Sequence, residues 1–113
     1  MMTPGKLIKD LERITLECYD NDKAYVEAKN AYHSWEDLKK VKFEMIIDLY
    51  EGKKSEKEHM ALMSEKWKNY LYRLSELRYD HLVAMTERDR TCREWDYIRS
   101  SLSMIKQEVN KGL

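Results

Sequence analysis

SEKEHMALMSEKWKNYLYRLSELRYDHLVAMTERDRTCREWDYIRSSLSMIKQEV, residues 55–109, is the stretch on which the fold turns. Steps of alternately three and four pick out Met60, Met63, Trp67, Tyr70, Leu74, Leu77, His81, Ala84, Arg88, Thr91, Trp95, Ile98, Leu102, Ile105 and Val109. The apolar repeat of about 3.5 residues holds from one end to the other, with polar exceptions at His81, Arg88 and Thr91. Such a seam needs a partner along its length and supercoils left-handedly around it.

The partner precedes it in the chain. Thr3 and Pro4 suit a helix start, the threonine as a cap and the proline as a first-turn residue that sacrifices no internal hydrogen bond. From there Leu7, Leu11, Ile14, Cys18, Asn21, Tyr25, Ala28, Tyr32 and Trp35 keep the same spacing. The register then meets Lys39 and Lys42, while Leu38, Met45, Ile46 and Leu49 carry the apolar face onward, displaced around the helix. With no Gly or Pro nearby, this reads as a stutter in a first helix spanning residues 4–51. Gly52 can take the left-handed conformation that ends a helix, and Ser55 with Glu58 forms a capping box for a second. A turn at 52–55 and a second helix at 56–111 complete the expectation: an all-α chain folded as one long antiparallel helical hairpin, coiled-coil-like, within a single domain.

Folding back about residue 53 sets Ile46 against Met60, Trp35 against the Leu71 region, Tyr25 against His81 and Leu11 against Trp95. Asn21, His81 and Arg88 then fall in neighbouring layers, a polar core layer that penalises slipped registers. The second helix outruns the first, leaving Leu102, Ile105 and Val109 uncovered, and Leu71 and Leu82 widen the apolar surface near its middle. These five residues are the expected interface of a homo-oligomeric bundle, a dimer or larger. An alternative stays open near residues 89–91, where Asp89, or Thr91 with Glu94, could cap a new helix. A break there would fold residues 92–111 back as a third helix.

Composition agrees with few, long helices. Three glycines and one proline lie near the termini or at residue 52, leaving no turn residues for a β-rich domain. The 21 basic and 21 acidic residues of the 113-residue chain cancel, which argues against long-range attraction to nucleic acid. Two cysteines without zinc-ligand spacing point to a reduced, cytoplasmic chain, and neither a signal peptide nor a membrane span is legible.

Nothing in the sequence amounts to a catalytic or cofactor motif. Glu56 and His59 form the E-x-x-H spacing of di-iron bundles, but the second copy is missing, and Glu56 in a first helical turn simply complements the helix dipole. Cys18 and Cys92 read as small seam or near-seam residues. The paired acids Glu17/Asp20, Glu44/Asp48 and Glu76/Asp80 lack the E-x-x-E and E-x-x-D arrangement of helical nucleotide pyrophosphohydrolases, and no glycine-rich phosphate loop is present. The expectation is therefore no enzyme, no metal and no cofactor.

Six of the seven arginines crowd the second helix. Arg78, Arg90, Arg93 and Arg99 are the candidates for nucleic-acid contact, because guanidinium groups suit bidentate phosphate recognition and Tyr72, Tyr79 and Tyr97 could stack on unpaired bases. The competing reading pairs these arginines with Glu76, Asp80, Glu87, Asp89, Glu94 and Asp96.

The segment Ala24-Tyr25-Val26-Glu27-Ala28-Lys29, with Glu51-Gly52-Lys53 and residues 55–61, resembles small helical proteins of phages and prophages encoded among replication and recombination genes. The resemblance spans about half the chain and departs at Trp35, Trp67 and Trp95. It implies an accessory role beside a replication or recombination protein and no catalytic residue. The sequence thus points to an oligomeric coiled-coil scaffold or protein-binding module, with a nucleic-acid-binding accessory protein as the alternative.

Overall fold

The computed structural model describes residues 3–112. The chain is all-α, with helices α1 (Pro4–Asp37), α2 (Lys39–Ile47), α3 (Lys54–Leu62) and α4 (Glu65–Lys111). It packs as two compact units. The first joins residues up to Val26 with those from Val83 onward, and the second is Glu27–Leu82.

In the first unit the start of α1 pairs antiparallel with the last part of α4. The Lys6 N–H donates to Thr3 Oγ1 at 3.2 Å, so the threonine caps α1 as its position suggests. Leu7, Ile14 and Ile98 are buried, and Leu11, Cys18, Trp95, Leu102 and Ile105 pack against them. The expected overhang is thereby corrected: Leu102 and Ile105 belong to the monomer's own core. Helical side chains lean toward the N-terminus of their helix, which carries those of Leu102 and Ile105 back over Ile98 and toward Leu7. Val109 remains exposed.

The second unit has a true interior, unlike the single stripe of a two-helix hairpin. Ile46 of α2, Ala61 of α3, and Trp67 and Tyr70 of α4 are buried, with Trp35, Phe43, Ile47, Tyr50, Leu71 and Leu74 packed against them. Leu71 is thus a core contact of its own chain. Leu82 is exposed. Aromatic rings dominate this core: Trp35 stacks on Tyr70 at 5.0 Å between centroids, Tyr70 on Trp67 at 5.5 Å, and Phe43 tilts against Trp67 at 4.7 Å.

Four helices replace the expected two. The stutter is an interruption at Leu38, with helical bonds kept on both sides, from Leu38 N–H to the Ser34 carbonyl and from Lys42 N–H to the Leu38 carbonyl. The Tyr70 hydroxyl donates to the Trp35 carbonyl. That side chain enters the ladder where an uninterrupted helix would place the Lys39 N–H, a known origin of kinks. Helix α2 ends at Ile47 rather than 51, closing with i→i+3 bonds at Leu49 and Tyr50. Gly52 takes φ +126°, as a chain reversal at that point requires.

One capping expectation is corrected, and the alternative left open near residues 89–91 is not taken. Helix α3 begins at Lys54 with no side-chain cap, so the Ser55–Glu58 box is not used. The serine that caps is Ser64: its hydroxyl accepts the Trp67 N–H at 3.2 Å and donates to the Ala61 carbonyl at 2.6 Å, separating α3 from α4. Helix α4 runs unbroken through residues 89–91. Thr91, wholly buried, returns its hydroxyl to the carbonyls of Glu87 and Arg88 at 3.2 and 2.9 Å. Satisfied by its own helix, it fills a seam position without opening a new helix.

Candidate functional site

Three groupings of side chains carry enough chemistry to be weighed as a site. The first is a network of charges around the seam of the first unit. Arg13 meets Glu94 at 2.7 Å and Glu17 at 2.8 Å, and Arg90 meets Glu87 at 3.2 Å, Glu94 at 3.3 Å and Glu17 at 3.7 Å. Arg13 is held protonated above its usual range by Glu94 and then Glu17, and Arg90 by Glu87. Beside this network the Asn21 amide donates to the Glu87 carbonyl at 3.4 Å. Arg88 bonds Asp22 at 3.1 Å and lies 4.5 Å from the centre of the Tyr25 ring. Asn21 and Arg88 thus make exposed polar contacts to Glu87 and Asp22 along the first unit.

His81, the third residue expected there, belongs to the other unit. It stacks on Tyr32 at 5.8 Å and meets His33 edge-on at 6.1 Å. Tyr25, expected opposite His81, instead faces Arg88. The Tyr32 hydroxyl is pushed above its usual range mainly by its bond to Glu36, with the charge of Arg78 opposing.

The arginines proposed for phosphate contact are largely committed elsewhere. Three carboxylates surround Arg90, Arg93 Nε donates to the Asp89 carbonyl at 3.3 Å, and Arg99 lies 5.2 Å from the centre of the Trp95 ring. Arg78 is exposed. A phosphate approaching Arg90 would have to displace those carboxylates and meet their like charge.

The second grouping is a shallow hollow in the first unit lined by Thr15, Cys18, Cys92, Trp95 and Asp96. Burial pushes the Cys92 thiol up, and nearby Cys18 adds to the shift. A thiol held in this direction supplies less thiolate, the form that attacks or binds metal. Among the described residues no group of three or more His, Cys, Asp or Glu side chains could hold a metal ion. Glu56 lies in the first turn of α3 and His59 in its last, both exposed. Among the described residues no helix is long and apolar enough to cross a membrane.

The third grouping belongs to α2 and its flanks in the second unit. Phe43, Ile46 and Ile47 turn into the core. Leu38, Val41, Met45 and Leu49, spaced by three, four and four, form a second apolar stripe that is 50%, 50%, 56% and 58% exposed. Met45 and Leu49 border an open groove of about 490 Å³, whose base is formed by Trp35, Ile46 and Tyr70. The charged side chains lining it are Lys42 and Lys66. Sequence reading placed Leu38, Met45, Ile46 and Leu49 on one displaced face. The structure divides them, Ile46 inward and the others outward, because Ile46 lies about 100° around the helix from Met45, on the side of Phe43 and Ile47.

Comparison with known protein families, with curated proteins and with solved structures finds no match to the chain.

Proposed function

We propose that the chain is a non-enzymatic helical module that holds a partner protein against the outer face of α2. The observation that carries this reading is the exposed apolar row along α2 and its flanks, beside a groove. The inner face of α2 is consumed by the core of the second unit, while Leu38, Val41, Met45 and Leu49 leave a continuous row of apolar side chains facing water. Scattered exposed apolar residues need no explanation, whereas a contiguous row beside a concave groove is the usual surface of a protein contact. Burial of such a row removes apolar area from water at about 25 cal/mol per Å² before the costs of association.

Site-specific photo-crosslinking in the native host tests the reading. A benzophenone side chain at position 45 is expected to form discrete adducts, and one at Leu16, an exposed apolar residue of the first unit, is not. Equal labelling at both positions, or none at 45, would contradict it.

A further inference from the structure

The groove beside α2 is bordered by one sign of charge. Acids and bases are equal in number along the chain, yet the charged side chains lining this groove are Lys42 and Lys66, with the amide of Asn69 beside them. We propose that the groove binds the apolar face of an acidic amphipathic helix supplied by a partner protein, an inference that rests on reading the outer face of α2 as a contact surface.

Shape and chemistry support this occupant. The apolar base of Trp35, Ile46 and Tyr70 and the exposed wall of Met45 and Leu49 suit a short row of aliphatic side chains, the helix-in-groove mode of recognition. Met45 can adjust its rotamers to the shape of an incoming residue. Aspartates or glutamates flanking that row would meet Lys42 and Lys66, steering the encounter and fixing orientation, while a basic helix would meet like charge.

Two other occupants fit less well. A second copy of the chain paired symmetrically across this face would bring the lysines of both copies toward each other. A single-stranded nucleic acid would use the lysines but needs open aromatic faces. Tyr70 is stacked between Trp35 and Trp67, and the exposed wall is aliphatic and thioether.

The test uses the full chain and three labelled synthetic peptides of equal length, each with leucines at i, i+4, i+7 and i+11. Their remaining positions carry glutamate, glutamine or lysine. Fluorescence anisotropy at physiological salt is expected to rank them glutamate over glutamine over lysine, with roughly three- to tenfold between neighbours. Raised salt should compress the ranking. Lys42→Glu with Lys66→Glu, both at exposed positions, is expected to invert the order. Met45→Glu with Leu49→Glu should abolish binding of the glutamate peptide, with circular dichroism verifying that both double variants stay folded.

Equal affinity for all three peptides, lost in Met45→Glu/Leu49→Glu, would overturn the acidic partner while leaving the contact face standing. Absence of peptide binding, together with a dimer in sedimentation that the same variant dissolves, would assign the face to a second copy. Displacement of the glutamate peptide by a short oligonucleotide would assign it to nucleic acid. A monomer that binds none of these probes would overturn both the inference and the reading beneath it.

Discussion

The two units solve the same problem, a helix needing a partner along an apolar stripe, in opposite ways. The first uses a narrow seam of Leu7, Ile14 and Ile98, with Arg13, Glu17, Arg90 and Glu94 laced beside it. The second uses large rings, Trp35, Phe43, Trp67 and Tyr70, gathered from three helices around Ile46 and Ala61. The first pairs much of its charge internally. The second leaves the apolar row of Leu38, Val41, Met45 and Leu49 exposed. Both units leave large apolar side chains exposed, and what sets the second apart is that its row lies beside a groove based on Trp35, Ile46 and Tyr70.

The largest expected effect separates the two cores. Trp67→Ala removes the ring between Phe43 and Tyr70 and should cost about 3–5 kcal/mol in urea denaturation. Ile14→Ala, wholly buried between helix segments of the first unit, should cost somewhat less, about 2–4 kcal/mol. Hydrogen exchange on the two variants sharpens the comparison. Protection should fall first in residues 27–82 for the former, and in the helix ends beyond them for the latter. A uniform loss in both would mean that the units unfold as one.

A smaller effect is expected at the reversal between α2 and α3. At φ +126° an added Cβ is strained, and it would stand 2.8 Å from Glu56 Oε2, so Gly52→Ala should cost about 1–2 kcal/mol. Smaller still is Asn21→Leu. The amide of Asn21 makes a long bond to a helical carbonyl, and leucine would extend the apolar seam. Stability should stay within about 0.5 kcal/mol of the parent or rise. A loss of several times that amount would show that the polar stretch of the first unit does more than exclude wrong registers.

The sequence made the first unit far more legible than the second, for a physical reason. Helical spacing reports which residues share a stripe, and in the first unit one stripe is nearly the whole story: Leu7, Ile14, Ile98 and the Thr3 cap stand where spacing and capping rules put them. In the second unit, contacts distant in sequence decide the local structure. Tyr70 donates to the Trp35 carbonyl beside the interruption at Leu38, a contact invisible in the residues around 38. Ser64 caps α4 inside a seam that continues in phase from Met63 to Trp67, so the repeat conceals the boundary. Leu102 and Ile105 looked uncovered because pairing by residue number ignores the lean of side chains along a helix. The groove was not legible, since its base joins Trp35, Ile46 and Tyr70 from three helices that only the folded chain brings together.

One comparison of denaturation midpoints tests the division of α2 into a face used by the fold and a face left for a partner. Met45→Glu with Leu49→Glu changes the outer face, and Ile46→Glu the inner. The outer pair should leave unfolding free energy within about 0.5 kcal/mol of the parent, as surface substitutions do. The inner change should cost at least about 3 kcal/mol, because it desolvates a charge in the core. If the outer pair destabilises the chain as much as Ile46→Glu does, the outer face is already occupied by the protein's own structure, and the account of it as a contact surface is wrong.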